Sequence, residues 1–459
     1  MTPGDFRTHI IEYTKSVCPE CLSIIDASKV VRDNDVYLSK KCPVHGDFNA
    51  IIWRDASSYS SWREYRQCET SSAPLIGSLE GCPYQCGLCP EHQQETCTGI
   101  IEVTSRCNLK CPVCFAKTGE NSSADDPDPK AIHDKFRTLI KAGGPYPVQL
   151  SGGEPTVRDD LHELVSLGSA LGFKHIQLNT NGIRLAEDFN YLQRLKDAGL
   201  SVVFLQFDAM DDKIYRAIRG RELLSLKLAA IDNCARAKMG VILVPTLVPG
   251  VNEHQLGDII RFAKQRVPVV KGVHFQPITF IGRYPEMGAF ANRITLPEII
   301  KEIEIQTGGE IREENFIPPG CEDSCCSFSG VFVLLEAGRL FPLTKFDPLK
   351  KLAPAHPSRI SAPEQSRKFV NARWRFKEMD EHGACCSCKT LDSSLGANFI
   401  ERAKSHFLTI SAMAFQDSYN LDLKRLRRCC IHVVGDNGRL VPFCAYYLTS
   451  SKGRRIYGV

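Results

Sequence analysis

Between about residues 98 and 283, short runs of β-branched and apolar residues alternate with longer amphipathic stretches. VQLSGGEP precedes DDLHELVSLGSALGF, HIQLNTNG precedes AEDFNYLQRLKDAG, SVVFLQFDA precedes SLKLAAIDNCARAKMG, and VILVPTLVPG precedes EHQLGDIIRFAKQR. A short β-rich run followed by an amphipathic helix, repeated along the chain, predicts βα units with parallel strands. Ahead of them, GIIEVT (99–104) alternates as a further strand that stops just short of Cys107. Polar and Gly-rich residues collect at the strand ends, so the pattern directs them to one rim, where α/β proteins place their sites. Nearer the N-terminus, VVRDNDVYLSKK reads as two strands joined by an Asn34-Asp35 turn.

Composition narrows the class without naming a partner. The 459 residues allow several domains, and 43% hydrophobic with 24% charged residues is the balance of an ordinary globular protein. The net charge of +4 is mild, and Lys and Arg are interspersed with Asp and Glu, so no nucleic-acid partner is expected. MTPGDFRTHIIEYTKS lacks the basic-then-apolar form of a secretory signal, and no apolar run is long enough to cross a bilayer. The expected location is the cytoplasm. There, 21 cysteines cannot form a disulfide framework, because thiols are kept reduced, and metal sites become the default reading.

Most of these cysteines fall into spaced groups. Cys18-Pro-Glu-Cys21 and Cys42-Pro-Val-His45 form two knuckles that place four donors around one tetrahedral ion, so a zinc ribbon or rubredoxin-like module holding one zinc or iron is expected. Four protein ligands leave no open position, which makes that site structural. One spacing, three residues and then two, occurs twice: Cys82, Cys86, Cys89, and again Cys107, Cys111, Cys114. Cys97 follows the first copy, and four thiolates saturate a four-iron cluster. The second copy has no nearby fourth cysteine, so three thiolates leave one iron open to a small ligand. Cys68 and Cys234 stand alone, and Cys385, Cys386 and Cys388 in ACCSCK match no pattern.

Three strand ends in order, C-x3-C-x2-C, then Ser151-Gly152-Gly153-Glu154-Pro155, then Asn179-Thr180-Asn181-Gly182, resemble the radical S-adenosylmethionine (SAM) superfamily. The resemblance implies a partial (β/α)6 barrel in which SAM chelates the vacant iron. Gly152 and Gly153 would let backbone approach the SAM amino group, Glu154 would offer it an acceptor, and Asn179 and Asn181 would bond the ribose or carboxylate. Reductive cleavage of SAM then gives a 5′-deoxyadenosyl radical that abstracts hydrogen from an unactivated C–H bond, with Cys107, Cys111 and Cys114 as the catalytic ligands. An electron donor such as ferredoxin or flavodoxin is implied as partner.

A closer resemblance extends over most of the chain. CPEC…CPVHG, CPYQCGLCPEHQQETC, LQFDAMDDKIYRAIRG, VPTLVPGVN, HFQPITFIGR and RRCCIHVVGDNGRLVPFCAYY together resemble the archaeal tetraether synthase group and its bacterial relatives. That resemblance implies joining of lipid alkyl chain ends, with a lipid substrate and peripheral contact with the membrane. The alternative is a radical SAM methyltransferase, or another modification, of a small polar substrate such as a pterin precursor. The resemblance also implies a second auxiliary cluster on Cys321, Cys325, Cys429 and Cys444, with Cys326 and Cys430 as the neighbours able to displace one of these. The expected division is a metal module over 1–66, an auxiliary cluster segment over 67–97, the radical SAM barrel over 98–283, and a C-terminal iron-sulfur domain over 284–459. Asp208, Arg219 and Arg283 stay open between ligand contact and structural roles.

Overall fold

The computed structural model describes residues 8–65, 81–116, 126–284, 293–347 and 402–457, together with 364, 367–368, 374–376 and 399. Cys68, Cys385, Cys386 and Cys388 lie outside them.

Four antiparallel strands form the N-terminal module: β1 (His9–Val17), β2 (Ile24–Arg32), β3 (Asp35–Cys42) and β4 (Gly46–Trp53), paired in chain order. The β2–β3 turn is Asp33-Asn34, with φ of 51° and 65°. Two successive positive-φ residues match the twist of the flanking strands in a two-residue hairpin, so the turn sits one residue before the expected Asn34-Asp35. The module is anchored to the C-terminal part of the chain by Lys29, which pairs with Asp422 at 2.7 Å, and by Lys40, which donates to the carbonyls of Val17 and Ser418.

Among the described residues the larger sheet has twelve strands. Its centre is β5 (Thr98–Thr104), β6 (Val148–Gly152), β7 (Ile176–Thr180), β8 (Val202–Gln206), β9 (Gly240–Val244) and β11 (Val270–Pro277), each parallel to the next. Short β10 (Thr246–Leu247) pairs beside β11. The expected run VILVPTLVPG therefore breaks into two strands at Pro245, which has no N–H to give the ladder. Ile101, Leu150, Leu178, Val203, Val241 and Val273 lie on one face of the sheet and join the main core with the helices. The helix at Leu161–Ala170 buries Leu161, Leu164, Val165 and Gly168, the i, i+3, i+4, i+7 stripe of an amphipathic helix. The stretch AEDFNYLQRLKDAG divides at Asp188, whose extended backbone and carboxylate cap a new helix through the Tyr191 N–H.

The opposite face of the same strands carries Glu102, Gln149, Asn179, Gln206, His274 and Gln276 toward their C-terminal ends, all half-buried. Period-two alternation makes this division of faces unavoidable once Ile101, Leu150, Leu178 and Val203 are buried.

Strands beyond residue 284 do not form a sheet of their own among the described residues. β14 (Phe407–Met413) joins parallel to β11, with β12 (Ser327–Leu334) and β13 (Leu340–Pro342) outside it, while β15 (Ile431–Val434) joins parallel to β5 with β16 (Leu440–Pro442) beyond. Both edges of the six-strand run are thus covered by C-terminal strands, which removes its unpaired edges. Among the described residues no helix is long and apolar enough to cross a membrane.

Candidate functional site

The loop after β5 carries Cys107, Cys111 and Cys114, and its path is fixed from three sides. Arg106 pairs with Asp126, which also accepts from the Thr104 hydroxyl. Cys114 and Arg283 exchange backbone hydrogen bonds of 2.8 Å in both directions. The carbonyl of Val113 accepts from Arg219 at 3.0 Å. Cys111 is buried, whereas Cys107 and Cys114 are half-buried. The Leu109 N–H points at the Cys107 sulfur at 3.4 Å. Burial, then the neighbouring Glu154, Cys111 and Cys114, push the Cys107 thiol up to about 11. Three soft donors on one loop, costly to ionise unless a cation joins them, suit an iron-sulfur cluster.

The end of β6 lies against this loop. Gly153 N–H donates to the Thr104 carbonyl at 2.9 Å and Glu154 N–H to the Arg106 carbonyl at 2.8 Å. A Cβ on Gly152, whose φ is 125°, would collide with the Thr104 carbonyl, and one on Gly153 with that of Arg106. Both glycines are therefore required by the close approach of two protein segments, a reason different from the ligand approach expected of them. Glu154 has protein partners that its sequence neighbours do not reveal. Its buried carboxylate accepts from Thr156 N–H (3.1 Å), the Thr156 hydroxyl (2.6 Å), the Thr180 hydroxyl (2.7 Å) and Asn181 N–H (2.6 Å). It clamps β6 to β7, with three of these bonds on Oε1 and one on Oε2. Asn181 is buried, with its amide spanning Asn108 and the Ile183 N–H, while Asn179 reaches toward Ser151 and accepts from Gln149. Ser151–Glu154 and Asn179–Asn181 thus meet the Cys107 loop at the C-terminal ends of β5, β6 and β7.

Beneath the loop lies an ion pair that sequence left open. Arg219 donates to both oxygens of Asp208, at 2.7 and 2.8 Å, and to Thr246. Asp208 is fully buried and is not the cap of the next helix; Asp211 caps it. Sequence reasoning missed Lys227, which is fully buried and donates to the Asn181 carbonyl. Burial lowers its amine to about 8. The signal was present: Lys227, Ala230, Ile231 and Cys234 occupy one buried helix face, so a cation stands at an apolar position.

The remaining cysteines regroup. Cys18, Cys21, Cys42 and His45 keep their expected company, with their donor atoms within 4.8 Å of one another. Cys82 and Cys86 are neighbours at 4.0 Å, packed under Tyr457, whose hydroxyl accepts from Cys86 N–H. Cys97 does not complete their set. It lies 3.0 Å from Cys321, which is 3.5 Å from Cys430. The expected quartet of Cys321, Cys325, Cys429 and Cys444 is divided accordingly. Cys430 stands beside Cys321 in place of Cys429, because its carbonyl accepts from Cys97 N–H where β15 begins to pair with β5. Cys429 turns to the Ile431 carbonyl, and Cys444 accepts from Gln416 N–H. Cys326 accepts from Arg425 at 3.0 Å, and burial pushes the Cys325 thiol up to about 12.

Two family models match the chain: the radical SAM superfamily over residues 101–263 and the HMPTM N-terminal zinc ribbon domain over residues 10–54. A 7,8-dihydro-6-hydroxymethylpterin dimethyltransferase of Methanocaldococcus jannaschii is 38% identical over 470 residues, covering 94% of this chain and 92% of that protein. A probable GTP 3′,8-cyclase of Methanothermobacter marburgensis is 32% identical over 181 residues, 39% of this chain and 58% of that one. Among solved structures, Streptococcus suis SuiB bound to precursor peptide SuiA aligns over 47% of this chain and 46% of that chain, with a TM-score of 0.38 and 17% identity. The superfamily match contains the whole Cys107 loop and the two strand ends that meet it, and the archaeal relative extends the likeness almost from end to end; this chain belongs to the radical SAM superfamily, with a zinc ribbon domain on its N-terminal side.

Proposed function

We propose that this protein is a radical SAM methyltransferase acting on a small polar heterocycle of the dihydropterin class. The observation that carries the reading is the nearly full-length match to a protein named for dimethylation of 7,8-dihydro-6-hydroxymethylpterin. The half-buried polar positions on the face of the central strands opposite the main core agree with it. Glu102, Gln149, Asn179, Gln206, His274 and Gln276 give that face the few placed polar groups that suit the edges of a heterocycle, several of them oriented by protein partners such as Tyr446 and Tyr447 on Glu102 and Ser411 on His274. The coupling of lipid chain ends, the first expectation from sequence, lacks such support, and with it the lipid substrate and the membrane contact.

In this proposal Cys107, Cys111 and Cys114 hold a four-iron cluster, and the six parallel strands in chain order form a partial (β/α)6 barrel around its ligand. When bound, that cluster and SAM supply one-electron cleavage chemistry, which requires a donor of the ferredoxin or flavodoxin class. The protein's own residues position the site. Arg219 fixes the loop through the Val113 carbonyl, Glu154 locks the ends of β6 and β7 together, and Asn181 connects them to Asn108 inside the cysteine loop. At this rim the side chains of Ser151 and Asn179, and the Glu154 oxygen Oε2, which takes a single bond, are the polar groups offered to the ligand. Cys18, Cys21, Cys42 and His45 hold a zinc or iron ion, and Cys82, Cys86 and Cys89 supply ligands to an auxiliary cluster.

The test is product analysis. Protein reconstituted anaerobically is given SAM, a strong reductant and 6-hydroxymethyl-7,8-dihydropterin, or in parallel a long-chain diether lipid in detergent. A pterin product heavier by one or two methyl groups is the expected result. Unchanged pterin beside coupled lipid chains would reject the proposal in favour of the lipid reading.

A further inference from the structure

We propose that Cys97, Cys321 and Cys430, with Glu322 as the fourth donor, form a single-ion metal site of the zinc or ferrous class at the N-terminal end of β5. The three cysteines are buried at 7%, 5% and 2% exposure. They come from segments 224 and 109 residues apart, yet their sulfurs lie 3.0 and 3.5 Å apart along the chain Cys97, Cys321, Cys430. One tetrahedral ion with bonds of about 2.3 Å sets its thiolates roughly 3.8 Å apart. A four-iron cluster holds each thiolate on a separate iron and keeps them farther from one another.

The zinc ribbon provides an internal scale for this spacing. There the Cys18 and Cys42 sulfurs each lie 3.5 Å from His45 Nδ1. Among the described residues, the ribbon set and the Cys97 set are the groups in which three or more such donor atoms lie within 4.8 Å of one another. The Cys107 triad, all of it described, is not among them.

Glu322 supplies what the three thiols lack. Its Oε2 lies 3.0 Å from the Cys321 sulfur and 3.8 Å from that of Cys430, while Oε1 accepts from the Ser327 hydroxyl at 2.6 Å. A hydroxyl on the second oxygen is how ligating carboxylates are oriented. Among the described residues no Lys or Arg forms an ion pair with Glu322. The surroundings are equally fixed. Cys97 N–H donates to the Cys430 carbonyl at 2.7 Å, and the Gln94 amide donates to that of Cys321. His92 and His432 stand nearby but are engaged elsewhere, His92 with the Cys429 carbonyl and His432 with Thr96. Four protein donors leave no open position, so the ion joins β5, β15 and the segment before β12 and takes no substrate.

The experiment uses full-length protein purified anaerobically, with metals and labile sulfide counted per chain in wild type and in C430S, E322Q and E322C. C430S should lose about one ion and no sulfide. E322Q should release that ion to a chelator at least about tenfold faster than wild type, and E322C should retain it. Loss of about four irons with their sulfide in C430S would overturn the single-ion assignment. Undiminished metal in C430S would overturn the site, and wild-type chelator resistance in E322Q would remove Glu322 from it. Should C430S fail to fold, the two Glu322 variants decide: faster release in E322Q with retention in E322C supports the site, and equal release from both and wild type rejects it.

Discussion

The two ends of β5 are both marked by cysteine, and they are built on opposite principles. At the C-terminal end the thiols of Cys107, Cys111 and Cys114 come from one loop of eight residues, two of them half-buried, held mostly through backbone carbonyls. At the N-terminal end, roughly 23 Å away at the rise of a seven-residue strand, Cys97 meets Cys321 and Cys430 from remote segments in a buried setting. A loop supplies ligands that leave room for a further molecule, whereas convergence of distant segments closes the site around its ion. The repeated C-x3-C-x2-C spacing therefore does not mark two equivalent centres, since the first copy does not draw Cys97 to itself.

The sharpest way to break this contrast is to remove one thiol at each end. Cys111→Ala should lower reductive cleavage of SAM by about a hundredfold or more, because a ligand loss exceeds the effect of the outer-shell changes that already cost 10–100-fold. Cys430→Ser and Cys86→Ala should each still release 5′-deoxyadenosine within several-fold of wild type. Quantifying deoxyadenosine and bound iron in the three variants separates the centres, and comparable loss in all three would show that the ends are not independent.

The next largest effect concerns what holds the open end. Asp208→Asn strands the buried Arg219 guanidinium that carries the Val113 carbonyl, and a broken buried pair costs about 3–5 kcal/mol. The neighbouring exposed pair of Arg216 and Glu222 is the control, and Glu222→Gln should cost under about 1 kcal/mol. Denaturant unfolding of both variants measures the difference. If the two cost the same, the loop is not supported from Asp208. A smaller cost, about 1–3 kcal/mol, is expected for Gly152→Ala, which forces a Cβ at φ 125° against the Thr104 carbonyl.

The same contrast explains how far sequence could go. Alternation gave the βα units because each strand buries one face, and the Cys107 spacing was legible because its ligands are consecutive on one loop. The ribbon was legible for the same reason, two knuckles at two hairpin ends. The clamp made by Glu154 was not legible because its partners Thr180 and Asn181 lie at the end of another strand, and sequence does not show which groups a carboxylate meets across strands. The partners of Cys97 were misassigned because β15 pairs with β5 across more than 300 residues, a register that no local pattern encodes. Of two adjacent cysteines, only the sheet decides which one faces Cys321.

The smallest effect tests whether the N-terminal ends of the strands are as dry as the Cys97 set implies. His175 immediately precedes β7, is 1% exposed, and neither ring nitrogen has a hydrogen-bond partner among the described residues. Burial, then the charge of Arg375, lowers its imidazole to about 3 from an ordinary value near 6.5. Between those values the unfolded chain binds the proton and the folded chain does not, so stability falls as pH drops below about 6.5, by up to ~1.4 kcal/mol per pH unit. His175→Leu removes the titrating group and leaves the metal sites and the other histidines in place. Between pH 7 and pH 5 the variant should lose about 2 kcal/mol less stability than wild type, read from urea unfolding at the two pH values. Parallel losses in the two proteins would mean that His175 takes up its proton in the folded state, and that water reaches the end of the sheet where the single-ion site requires a closed interior.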